Sequence, residues 1–276
     1  MTDVPSDISH ETTLCISLSA RPSRVGTRFH NHLYDALGLD FVYKACTTHD
    51  LPAAIGGIRA LGIRGCGVSM PFKQACLPLV DEVHDSARAI GAVNTIVNNA
   101  GHLDAYNTDY SAVVALLAEH AVPTGLDVAV LGSGGMAAAV GMALRDSGFT
   151  SLTVVARNEG TGRALADSLG ARWVPGLGHE RPGVLVNATP VGMAGGPAVD
   201  DLPVSDAVLD AARVVFEVVA VPVLTPLVRA ARARGLEVIT GAEVIVLQAT
   251  EQFVLYTGRR PTPEQVRAAA EYSRRS

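Results

Sequence analysis

The chain has 276 residues, 48% of them hydrophobic and 18% charged, enough apolar material for one large or two medium domains with buried cores. A net charge of -5 offers no basic face to nucleic acid, and no apolar run is long enough for a membrane-spanning helix. The acidic, polar start MTDVPSDISHE is not a secretory signal and predicts a loose tail over about the first ten residues. Cys15, Cys46, Cys66 and Cys76 form no CxxC pair and no zinc-like spacing with histidine. The expectation is a reduced, cytoplasmic protein without a metal centre, its cysteines structural rather than catalytic.

The predicted elements alternate. TLCISL (13–18) reads as a strand and TRFHNHLYDALG as a helix with a glycine stop. FVYKA (41–45) is the next strand, DLPAAIGGIRALG the next helix, and CGVS (66–69) the third strand. AVNTIV (92–97) is a fourth, and NNAG (98–101) turns tightly into a hairpin partner, HLDAY. After a break at Pro123 and Gly125 a second series begins: DVAVL (127–131), LTVVA (152–156), RWV (172–174), VLVNA (184–188), VVFEVV (214–219) and LEVI (236–239). This rhythm predicts an α/β protein whose second half, 107–238, is a doubly wound parallel sheet. AEVIVLQATEQFVLYTG (242–258) is a long, largely buried helix, and Thr262 with Pro263 opens an amphipathic terminal helix.

VAVLGSGGMAAAVGMAL places Gly132, Gly134 and Ala137 in the pattern G-x-G-x-x-G/A between a strand and a helix. Gly132 permits the turn, Gly134 lets a pyrophosphate approach the backbone, and Ala137 keeps the helix close to the sheet. The helix then opens with free N–H groups toward the phosphates. At the end of the next strand an NAD site would carry an acid for the ribose hydroxyl. This chain has Arg157 and Asn158, and an arginine there suits a 2′-phosphate, so NADP is the expected cofactor. Glu159 just beyond leaves NAD open. The segment GVSMPFK (67–73) has two readings: Lys73 is a solvated surface charge, or it is a catalytic base.

With these pieces in place, the sequence resembles the shikimate dehydrogenase family over nearly its whole length. GVSMPFK, GAVNTI (91–96), AYNTD (105–109), GSGGMA, NATPVGM (187–193) and GAEVIVLQA (241–249) follow the order of the family's motifs. The resemblance implies reversible, NADP-linked oxidation of shikimate to 3-dehydroshikimate in a cleft between two domains. The first is a substrate domain, 1–106, to which 239–276 returns; the second is a Rossmann domain. It also implies roles. Lys73 and Asp109 form the catalytic pair, and Ser69, Asn94 and Gln248 contact substrate. Gly132, Ser133, Gly134, Gly135, Met136 and Ala137 form the cofactor loop, and Arg157 with Asn158 holds the 2′-phosphate. Asn187, Thr189, Val218 and Gly241 stand near the nicotinamide and its ribose, with Gly192 and Met193 beside the ring.

The chain departs from the family pattern in two places. Arg24 and Gly26 replace the serines that grip the substrate carboxylate. Ser23 and Thr27 are the nearest substitutes, and Arg24 can pair a carboxylate directly. Ala220 stands where the family has a substrate-contacting tyrosine. Both features resemble the divergent, shikimate dehydrogenase-like branch.

Oxidising a secondary alcohol sends a hydride to the nicotinamide and a proton to the protein. Lys73 is the candidate for the proton, with Asp109 fixing its position. Asn94 offers both a donor and an acceptor to a ring hydroxyl, and Gln248 reads as a buried amide seeking partners. His30, His32 and His84 lie in helical patterns and read as structural. The alternatives are a quinate or aminoshikimate dehydrogenase, or a non-catalytic NADP-binding regulator. The expected partner is a small cyclic hydroxy acid, with no nucleic acid or membrane, in a monomer or homodimer.

Overall fold

A computed structural model of the chain describes residues 8–275; the first seven residues of the expected tail lie outside the described residues. The chain divides into two compact units. One runs to Thr108 and resumes at Val246, and the other is Asp109–Ile245.

The first unit contains β1 (Thr13–Leu18), α1 (Arg24–Ala36), β2 (Phe41–Cys46), α2 (Leu51–Ala60), β3 (Gly65–Val68), β4 (Glu82–Val83), α3 (Asp85–Ile90), β5 (Thr95–Asn99) and β6 (His102–Tyr106). They form one sheet in the order β2-β1-β3-β5-β6-β4. β1 is parallel to β2 and β3, β5 is antiparallel to β3 and β6, and β4 is parallel to β6. β5 begins at Thr95, later than the expected 92, because the Val93 N–H turns away to the carbonyl of Lys73. β4, two residues long, carries no readable period.

The second unit opens in α4 (Thr108–Glu119). It continues through β7 (Val128–Leu131), α5 (Gly135–Asp146), β8 (Leu152–Val155), α6 (Glu159–Leu169), β9 (Arg172–Val174), β10 (Val184–Asn187), α7 (Asp206–Leu209), β11 (Val214–Glu217), α8 (Pro226–Ala233) and β12 (Glu237–Ile239). Every strand pair is parallel, in the order β9-β8-β7-β10-β11-β12. Counted within the unit this is 3-2-1-4-5-6, the Rossmann order, and its switch point lies between β7 and β10.

Two helices complete the chain: α9 (Gly241–Thr257) and α10 (Pro263–Ser273). Thr262 caps α10 in a reciprocal capping box with Gln265. The division falls inside α9, later than the expected 238/239. The first turn of α9 packs on the second unit's own loop, where Gly241 lies against the carbonyl of Val218.

Alternation along β1 feeds two cores, one on each side of the first sheet. Ile16 and Leu18 join Ile55, Ile58, Ile96 and Leu103 on one side. Cys15 joins Phe29, Leu33, Tyr34, Tyr43, Phe253 and Tyr256 on the other, under α1, α9 and α10. His30 is buried there and stacks on Tyr43 at 4.3 Å; burial lowers its pKa to about 3, so it is a neutral core ring. His32 stacks on Tyr272. Cys15, Cys66 and Cys76 are buried, and burial pushes the thiols of Cys15 and Cys76 up to about 12 and about 11. Such thiols are packing groups, not nucleophiles. Among the described residues no helix is long and apolar enough to cross a membrane.

Candidate active site

The C-terminal ends of β1 and β3 meet the start of β5 in one corner of the first unit. The N–H of Ser69 donates to the Leu18 carbonyl at 2.9 Å. The chain then turns at Pro71, where Phe72 N–H returns to the carbonyl of Ser69 at 3.0 Å. Lys73 follows in this turn, half-buried, and not at the start of a helix. Its carbonyl accepts from Val93 N–H at 2.8 Å, and the carbonyl of Asn94 accepts from Val68 N–H at 2.7 Å. The main chain thus sets Ser69, Lys73 and Asn94 side by side.

Asn94 is almost fully buried. Its Oδ1 accepts from Thr95 Oγ1 at 2.8 Å, Thr108 N at 2.8 Å and Thr108 Oγ1 at 3.2 Å. The acceptor end expected for substrate is therefore spent inside the protein. What remains is the amide NH₂, which faces Gln248 Oε1 at 3.4 Å. Gln248 is half-buried, not the buried amide expected of α9. That amide is Gln252, whose Nε2 donates to the Asn94 carbonyl and to Thr95 Oγ1, both at 3.0 Å. The signal for it was its spacing: Gln252 stands four residues after Gln248, on the same helix face.

Asp109 is buried in the first turn of α4, not at its N-cap, and the helix N-terminus there favours a carboxylate. Thr108, the residue before it, supplies two of the three bonds that hold Asn94 Oδ1. Ser23 is the N-cap of α1 but makes no side-chain capping bond, and Thr27 lies one turn further on, half-buried.

In the second unit a cavity of about 1240 Å³ opens at the C-terminal ends of β7, β8 and β10. Gly132, Ser133, Gly134, Arg157, Asn158 and Thr189 all line it. Gly132 has φ +107°, and a Cβ there would sit 2.9 Å from the Ala188 carbonyl oxygen, so only glycine lets the two loops at the switch point close up. Gly134 is the extended residue before α5, and a Cβ on it would meet only open space. That space, in front of a helix N-terminus, fits a pyrophosphate. Arg157 is exposed at the cavity wall, where a guanidinium suits a terminal phosphate. Glu159 is not in the lining; it pairs with Arg163 at 2.8 Å. Asn158 spends its side-chain oxygen on the Thr161 N–H as the cap of α6.

The remaining expected cofactor residues stand off the cavity wall. Gly135 and Met136 open α5, and Ala137 is fully buried behind them. Asn187 is also fully buried and spent internally. Its Nδ2 donates to Glu217 Oε1 at 2.9 Å and to the Val191 carbonyl at 3.2 Å, while its Oδ1 accepts from Thr189 Oγ1 at 2.6 Å. Asn187 positions Thr189, and Thr189 reaches the cavity. At position 241 a Cβ would lie 2.3 Å from the Val218 carbonyl oxygen, so the need for glycine comes from this chain's own backbone.

Glu217 anchors this region. It is fully buried at the end of β11 and accepts from Val219 N at 2.9 Å and Thr225 Oγ1 at 2.8 Å, as well as from Asn187. Burial raises its pKa above the usual glutamate value, against the pull of those donors. Its signal was a lone charge inside the apolar run VVFEVV.

Comparison with known proteins agrees with this geometry. Residues 23–96 match the model of the shikimate dehydrogenase substrate binding domain. A shikimate dehydrogenase-like protein of Haemophilus influenzae is 54% identical, over 97% of this chain and 98% of its own length. Shikimate 5-dehydrogenase from Thermus thermophilus, solved in complex with NADP(H) and shikimate, superposes with a TM-score of 0.82 at 31% identity, covering 95% of this chain and 99% of that one. Quinate dehydrogenase from Corynebacterium glutamicum, solved with NAD, gives 0.83 at 31% identity, covering 95% and 98%. The chain belongs to the shikimate dehydrogenase family.

Proposed function

We propose that the protein is an NADP-dependent oxidoreductase that interconverts shikimate, or a close cyclic hydroxy acid, with its ketone. The observation that carries this reading is the corner that sets Lys73 beside Asn94, with the Asn94 NH₂ left to donate. A donor amide holds a hydroxyl oxygen, and a lysine at its side takes the hydroxyl proton in oxidation and returns it in reduction. Asp109 fixes the lysine. The nicotinamide supplies hydride acceptance, and the chain's own residues bind and orient it: the loop from Gly132 for the pyrophosphate, Thr189 toward the ribose, Arg157 for the 2′-phosphate. The test is a panel of shikimate, quinate and aminoshikimate with NADP and with NAD. Turnover is expected with NADP and at least one of these acids. Clean NADP binding without turnover on any of them would favour a regulatory protein instead.

Cofactor choice rests on Arg157, with Glu159 drawn aside by Arg163. Arg157→Ala is expected to raise the KM for NADP about 10- to 100-fold, the loss of a charge-assisted contact, and to leave the KM for NAD nearly unchanged. Equal effects on both cofactors in steady-state kinetics would remove Arg157 from the phosphate site.

A second reading, quinate dehydrogenase, has its own support. Ala220 leaves room for a further ring substituent, and the solved quinate enzyme is as similar in fold as the shikimate enzyme. The same panel separates the two by their ratio of kcat/KM.

A further inference from the structure

β4 and β6 form the outer edge of the first sheet, in parallel register, with Glu82 opposite Asp104. His84 continues this pairing, donating its N–H to the Ala105 carbonyl at 2.9 Å. Side chains alternate along a strand, so residues two apart share a face. Glu82 and His84 on one strand therefore stand against His102 and Asp104 on the other: E-x-H against H-x-D.

The donor atoms converge. Those of Glu82, His84 and Asp104 all lie within 4.8 Å of one another. His84 Nε2 is 3.2 Å from Asp104 Oδ1 and 3.9 Å from Glu82 Oε1. His102 Nε2 is 3.8 Å from Glu82 Oε2 and 3.8 Å from Asp104 Oδ1. Ligands bonded at 2.0–2.1 Å in a tetrahedral zinc site stand about 3.4 Å apart, within this spread. Supporting contacts orient the donors. Asn99 Nδ2 donates to Asp104 Oδ2 at 2.6 Å, which leaves Oδ1 toward the imidazoles, and the His84 ring stacks on Tyr106 at 4.1 Å. Asp104 is buried while Glu82 and His102 are half-exposed, so an ion has a way in from solvent.

We propose that Glu82, His84 and Asp104 bind one divalent transition-metal ion of the zinc class at the edge of the first sheet, with His102, which faces both carboxylates, as the fourth ligand. Two imidazoles beside two carboxylates select such an ion over calcium or magnesium, which take oxygen ligands. The ion would close the two-residue strand β4 onto β6. β4 ends the segment that begins at Pro71 and carries Lys73, so the role is structural and independent of the proposed reaction.

Untagged, chelator-treated protein titrated with Co²⁺ tests this. One Co²⁺ per chain should give the intense visible bands of a four-coordinate ion without thiolate charge transfer, and equimolar Zn²⁺ should bleach them. Zn²⁺ should raise Tm relative to chelator. His84→Ala and, at a half-exposed position, His102→Ala should each weaken Co²⁺ binding about tenfold or more while keeping the chelator-state Tm. Absent bands with an unchanged Tm, bands showing thiolate charge transfer, or binding that survives both substitutions would overturn the site.

Discussion

Lys73→Ala is expected to lower kcat with shikimate about 100- to 10,000-fold, the range for loss of a positioned proton carrier, while the Kd for NADP stays within about twofold. The separation follows from placement. Lys73 sits in the β3–β5 corner of the first unit, tied through its carbonyl to Val93, and the cofactor cavity is lined by residues of the second. Stopped-flow turnover and fluorescence titration of NADPH read the two quantities separately. Asp109→Asn is expected to follow the same pattern under the role proposed for it, since an amide keeps the shape and loses the carboxylate charge. A parallel loss of kcat and NADP affinity in Lys73→Ala would place the lysine on the cofactor instead.

Glu217→Ala is expected to cost about 3–5 kcal/mol of stability, a large share of what a domain of this size has. The substitution removes the acceptor of three buried bonds, one from Asn187 Nδ2, which keeps the Val191 carbonyl, one from the Val219 N–H and one from Thr225 Oγ1. Glu217→Gln keeps the Oε1 acceptor for two of them and should cost only about 1 kcal/mol. The pair also predicts a pH effect. Because the folded pKa of Glu217 lies above the 4.5 of an unfolded glutamate, the unfolded chain releases this proton first as pH rises. The stability of the native protein relative to Glu217→Gln therefore falls from about pH 4.5 upward and levels off once the folded carboxyl has ionised. Urea unfolding across that range measures it. A loss below about 1 kcal/mol for Glu217→Ala, or a flat difference between native protein and Glu217→Gln, would show that the network carries little.

The two α/β series were legible because most of their strands are short apolar runs closed by glycine or a helical pattern. The loop at Gly132 was legible for a related reason: a positive φ and a close backbone approach leave a residue-type signature. What stayed hidden depends on pairing between distant segments. Gln252 and Glu217 matter because of Asn94, Thr95 and Asn187, which lie far away along the chain. Asn94 lost its expected acceptor role to Thr108, a contact made only when β6 turns into α4. The spacing of cysteine and histidine predicts no metal centre, and the E-x-H and H-x-D pairs of the proposed site come together only through the register of β4 with β6. Sequence spacing carries local demands well and cross-strand demands poorly.

Hydride transfer itself is open to direct measurement. Shikimate deuterated at the carbon that bears the oxidised hydroxyl is incubated with the protein and NADP, and the reduced cofactor is weighed by mass spectrometry. One deuterium per NADPH formed is the predicted result, with NADPH formed about 100- to 10,000-fold more slowly in Lys73→Ala. NADPH without deuterium, or no NADPH from shikimate, quinate or aminoshikimate while NADP binds, would contradict it.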